Sequence, residues 1–234
     1  MSISHLSLDK MVELISAIVA TLVGVIFALS TYERWLNKKK IHELAWASSL
    51  SMFAIAAFAL ALGAAGSWNH LLFKVFYLFG AILNVPFLAL GTVYLQFGEK
   101  IGNKVAKVLV LLAFLVTGMM ISAPFLAPLP LHHLAQGSKV FSVLPRLFAG
   151  VGSGVGATVV FVGAIASFFR TNTLRFKVSN ALIAIGTAVT GASGLLNSLA
   201  NAMTAFSITL VIGITIIYFG FIAATTAKVP AKVS

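Results

Sequence analysis

Apolar runs of about twenty residues recur along this chain, separated by short connectors that carry nearly all of its charge. As a helix rising about 1.5 Å per residue, such a run matches the ~30 Å hydrocarbon core of a bilayer. None of the runs alternates with period two, as a strand of an outer-membrane barrel would. Lipid offers backbone groups no hydrogen bonds, so each span must satisfy its own, and helices are the expected structure. Composition agrees, with 60% of the 234 residues hydrophobic and 9% charged, against roughly 45–50% and 25% in soluble domains.

The expected fold is an all-α integral membrane protein, a bundle of seven transmembrane helices over about 11–32, 44–65, 74–96, 108–125, 144–169, 178–199 and 203–227. The first run is longer than a signal-peptide core and no A-x-A site precedes its charged flank, so it counts as a span. No connector is long enough for a core of its own, so residues 1–234 read as one membrane domain. Trp46 and Trp68 bracket the second span as interfacial aromatics would. A basic connector with Glu99, Lys100 and Lys104 leads to the fourth span, the most uniformly apolar and the one expected to face lipid.

Seven spans put the two tails on opposite sides. One side then collects Arg34, Lys38, Lys39, Lys40, Lys100, Lys104, Lys107, Arg170, Arg175, Lys177, Lys228 and Lys232; the other holds Lys10, Lys74, Lys139 and Arg146. Twelve basic residues against four place the N-terminus outside and the C-terminus in the cytoplasm of a cell (plasma) membrane. The formal charge of +11 is thus a topology signal, and the bilayer rather than nucleic acid is the expected partner. Cys is absent, which removes disulfides, thiolate metal sites and cysteine nucleophiles.

Residues 74–96, KVFYLFGAILNVPFLALGTVYLQ, form the span around which the others can be arranged. At steps of three and four, Tyr77, Gly80, Asn84, Phe87, Gly91 and Tyr94 share one face. Pro86 has no N–H and leaves the carbonyl of Ile82 without its intrahelical partner. An amide and a freed carbonyl at membrane depth need partners in protein or in a wet cavity, and broken helices of this kind form substrate sites in transporters. In the fifth span the Gly152–Gly156 spacing permits close approach of another helix. The sixth carries Asn180, Thr187, Thr190, Ser193 and Asn197, and the seventh Thr204, Ser207 and Tyr218. Tyr77, Asn84, Tyr94, Thr187, Asn197 and Tyr218 are the candidate ligand-binding set, although Ser, Thr and Asn also serve as glue between membrane helices.

Charged residues keep to the ends of the spans, which argues against a carboxylate relay through the membrane. Glu13 and Arg146 are candidates for an outer gate, with Glu13–Lys74 or Glu13–Arg146 as the expected pair. His132 and His133, in the longest connector, are weak metal-ligand candidates, since their spacing matches no ligand signature. That connector, rich in Pro and apolar residues, is expected to pack on the bundle mouth. No nucleophile with its base and no paired carboxylates are visible, so an enzyme is the least expected class. The remaining readings are small-solute binding and transport, a receptor-like or lipid- or isoprenoid-binding protein signalling through a partner, and a structural subunit of a membrane complex.

The span count, the orientation and the absence of soluble domains resemble the layout of microbial rhodopsins. That family holds retinal on a lysine in its last helix, and ITLVIGITIIYFGFIAAT has none, so a retinal Schiff base is not supported and no cofactor is expected. The topology is also similar to that of SWEET and PQ-loop transporters, without their Pro-Gln pair. FYLFGAILNVPFLALGTVYL and LPRLFAGVGSGVGA resemble stretches of uncharacterised prokaryotic multi-pass membrane proteins, which implies a membrane fold and no particular activity.

Overall fold

The computed structural model describes residues 3–129, 137–200 and 203–225. Among these the secondary structure is entirely helical. Helix α1 spans Ile3–Lys38; Lys39, at φ 52°, turns the chain into α2, which begins at Ile41 and runs to Leu62 before π-type turns over Gly63–Ser67. Asn69 then caps the next helix by accepting the Leu72 N–H at 2.8 Å.

That next stretch, His70–Ser122, is 53 residues long. Straight, it would measure about 80 Å, more than twice a bilayer core. It is not straight. Gly98, at φ 76° and ψ 179°, divides it into α3 over 70–97 and α4 over 99–122. Two bonds show α4 running back along α3: Tyr94 donates to Asn103 Oδ1 at 2.8 Å beside the bend, and Lys74 Nζ donates to the Ile121 carbonyl at 2.7 Å at the far end. The connector expected at 97–107 is thus helix apart from one residue. Its Glu, Lys and Ala residues favour helix, and only glycine adopts the Gly98 conformation readily.

After the short turn Gly137–Val140 come α5 (Val143–Arg170), α6 (Leu174–Ala200) and α7 (Met203–Thr225). Helix α1 packs on α2 and α7, α2 on α3, α3 on α5, α5 on α6, and α6 on α7, which closes a ring. Helix α4 lies against the outside of α3, burying Val116 and Met120 and exposing Leu111, Phe114, Leu115 and Ile121. Among the described residues five helical stretches are long and apolar enough to cross a membrane, and division at Gly98 makes them six.

Glycine sets the closest approaches. A Cβ on Gly186 would lie 2.8 Å from the Gly213 carbonyl oxygen, and one on Gly220 would lie 2.9 Å from that of Ser179. Ser179 Oγ donates to the Gly220 carbonyl at 2.7 Å, so α6 and α7 meet backbone to backbone. Trp68 lies edge-on to Phe73, and Trp46 covers Gly91.

Candidate functional site

The interruption in α3 is wider than Pro86 alone requires. Residues Tyr77–Leu83 form π-type turns, closed by the Asn84 N–H on the Phe79 carbonyl, five residues back. Pro86 follows, and lacks the N–H that Ile82 would use in α register or Ala81 in π register. The two neighbouring helices supply what is missing. Ser153 of α5 donates to the Ala81 carbonyl at 2.7 Å, and Ser49 of α2 donates to the Asn84 carbonyl at 2.8 Å. Gly152 lies over Ile82, where a Cβ would come within 3.2 Å of the carbonyl oxygen; one on Gly156 would come within 2.9 Å of the Val85 backbone. The glycine spacing of α5 and the proline break of α3 are two halves of one contact.

Asn84 is half-buried at the centre of this contact. Its Oδ1 lies 2.9 Å from the same Ser49 Oγ, whose one proton is shared between it and the Asn84 carbonyl, while its amide nitrogen has no protein partner among the described residues. Gly80, Asn84 and Gly91 mark the line of contact with α2; Ala81, Ile82, Val85 and Thr92 mark that with α5. Leu88 and Leu95 fall between the two lines, edged by Asn84 on one and Ala81 on the other, the four following at i, i+3, i+7 and i+14 from Ala81. None of the four is buried, and Leu95 is 51% exposed.

The other sequence candidates lie elsewhere. Tyr77 is buried in an aromatic cluster at the Lys74 end of α3, its ring 5.0 Å from that of Phe141 and covering Gly137. Phe125, stacked on His70 at 4.2 Å, joins the same cluster, so both flanks of the long connector pack on the bundle mouth as expected. Tyr94 is buried near Gly98 and bonded to Asn103. Thr187 is buried and donates back to the Ile183 carbonyl, and Tyr218 packs on Phe27 of α1 at 5.1 Å. Tyr77, Asn84 and Tyr94 thus occupy successive levels of α3, and no contact joins them to Thr187 or Tyr218. The side chain of Asn197, with His132 and His133, lies outside the described residues.

At the expected outer gate, Glu13 is buried and accepts from Thr204 Oγ1 of α7 at 3.0 Å. The expected partners are engaged or apart: Lys74 reaches Ile121, and Arg146 is exposed.

Three polar groups were not singled out from sequence. Ser49 and Ser153 are ordinary serines until the broken helix is placed between them. Gln96 ends α3 by donating to the Gly163 carbonyl at 3.0 Å and to Ser167 Oγ at 2.6 Å, while its Oε1 accepts from Arg170 at 3.1 Å. Glu43, near the start of α2, is buried and paired with Arg34 of α1, whose guanidinium lies 4.3 Å over the Phe221 ring of α7. Gln96, Arg34 and Glu43 sit at span ends, where polar residues are usual and give no signal of what they bind. Among the described residues no group of three or more His, Asp or Glu could hold a metal. Comparison with family models, with curated proteins and with solved structures gave no match to this chain.

Proposed function

We propose that this chain is a seven-span membrane protein, N-terminus outside and C-terminus in the cytoplasm, that binds and carries a small polar solute along the incompletely covered stripe of α3. The observation that carries the reading is Asn84: a side-chain amide at the middle of a membrane helix, beside a proline break, with its oxygen held by Ser49 and its NH2 without a protein partner. Such a donor at membrane depth is costly unless a ligand or water accepts from it. The π-type turns and Pro86 favour the same reading, because broken helices let backbone groups face a substrate. The close Gly152 and Gly156 contact provides a rigid wall on one side. The basic residues concentrated in the connectors of one side support the orientation.

The experiment is native mass spectrometry of the protein purified in mild detergent, with Asn84→Leu as the control and an absorption spectrum of the same samples. The expected result is a bound small molecule lost in the variant while the variant stays folded. A ligand retained in full by Asn84→Leu, or a stoichiometric protein partner and no small molecule, would reject the reading.

A further inference from the structure

We propose that the groove between α5 and α6 is a binding site for an anionic phospholipid, with an acyl chain in the groove and the phosphate at Lys177. The groove has a volume of about 600 Å³ and is lined by Phe161, Ile165 and Phe168 of α5 and Ala181, Ala184 and Ala188 of α6. That is within the roughly 300–1,000 Å³ of ordinary ligand sites. Its alanines form a floor because small side chains leave room there, and its walls are aromatic and aliphatic. No polar side chain lines it, so its occupant is hydrocarbon.

The charge at one end says which hydrocarbon. Lys177, Ala181, Ala184 and Ala188 fall at i, i+4, i+7 and i+11, so the lysine stands on the groove's own face of α6. Its Nζ lies 5.9 Å from the centre of the Phe168 ring, at the groove's mouth. The first turn of α6, where the helix dipole is positive, contains no acidic residue.

Lys177 is in no ion pair among the described residues, where the ion pairs all end on Glu43. An apolar slot with an unpaired lysine at its rim matches a lipid with a negatively charged headgroup. A zwitterionic lipid would fill the slot but leave the rim's charge unmatched. The site is separate from the α3 stripe, and its test does not depend on transport.

The test is a titration of the full chain in detergent with phosphatidylglycerol, with phosphatidylcholine of the same acyl chains and with inorganic phosphate, read by native mass spectrometry. One phosphatidylglycerol per chain is expected to bind in preference to either alternative. Lys177→Gln should weaken it about fivefold, the effect of one basic residue near a membrane surface, and Lys177→Arg should restore it. Ala188→Phe, at an exposed position that tolerates bulk without disturbing the fold, should exclude the acyl chain. Equal binding of the two lipids, binding of phosphate alone, or binding unchanged in Ala188→Phe would overturn the proposal. So would a lipid-free dimer broken by Ala188→Phe, which would assign the groove to a second copy.

Discussion

Arg34 of α1 and Glu43 of α2 form an ion pair across the Lys39 turn, and the two partners are not equally buried: the Glu43 side chain is 2% exposed and that of Arg34 22%. His42 stands 3.7 Å from the same carboxylate oxygen, and Phe221 covers the guanidinium, so the pair ties α1, α2 and α7 together at one end of the bundle. The asymmetry in burial decides what each deletion does.

Arg34→Ala leaves a carboxylate sealed in the interface and should cost roughly 3–5 kcal/mol, as removal of one partner of a buried pair does. Glu43→Ala should cost less, because the long Arg34 side chain can extend its charge to water. Replacing both, as Arg34→Met with Glu43→Leu, should recover most of the loss. Thermal unfolding in detergent checks the order. Equal loss in the two single variants would show that the carboxylate is not sealed.

On α5, Gly156 and Gly154 are two residues apart and should respond oppositely to alanine. A Cβ at Gly156 would meet the Val85 backbone at 2.9 Å, whereas nothing lies within 4 Å of one at Gly154. Gly156→Ala should therefore destabilise by about 1–3 kcal/mol, the usual cost of overpacking. Gly154→Ala should be neutral or stabilise by up to ~1 kcal/mol. Paired unfolding measurements decide it, and equal effects would mean that α5 does not press its Gly152–Gly156 face on the broken helix.

Gly98→Ala isolates backbone strain from packing, since a Cβ there has nothing within 4 Å. At φ 76° and ψ 179° the penalty should be about 1–3 kcal/mol, with the same secondary-structure content. A fully tolerated alanine would show that the chain does not turn sharply between α3 and α4.

Between α6 and α7, Gly213→Ala should destabilise where Gly191→Ala does not. The Gly213 Cβ would meet the Thr190 backbone nitrogen at 3.0 Å and the Gly186 carbonyl at 3.1 Å, while Gly191 faces open space. Unfolding in detergent tests the pair, and equal tolerance would place the two helices further apart than their Ser179–Gly220 bond implies.

What was legible beforehand depended on whether the cause was local. Helix type and the apolar spans follow from run length, and an interruption of α3 from Pro86, although the π-type turns before it put the outside donor on Ala81 rather than Ile82. The small-xxx-small spacing of Gly152 and Gly156 announced a close helix contact without naming its partner, because register between helices is set by the whole bundle. For the same reason Ser49 and Ser153 could not be told from any other serine. The Glu13–Thr204 bond and the Arg34–Glu43 pair join elements through tertiary packing, and charges near span ends have several partners within reach. That the rings of Trp46 and Trp68 fill the spaces left by Gly91 and Gly63 depends on packing between segments and has no local sign in the sequence. The charge of residues 99–107 marks a connector by composition, while their place directly after the Gly98 bend keeps them helical.

The absence of cysteine makes the central claim directly measurable, since single cysteines can be placed in the natural chain without a background. Cysteine at Ala81, Asn84 and Leu88, with Phe114 on the exposed face of α4 as the lipid-facing control, would be treated with a small water-soluble thiol reagent in membranes. Labelling at the three α3 positions and not at Phe114 is the predicted result, because the proposed solute path requires water to reach this stripe of α3. No labelling at any of the three, with a stable and inserted protein, would contradict it and leave Asn84 as a packing residue.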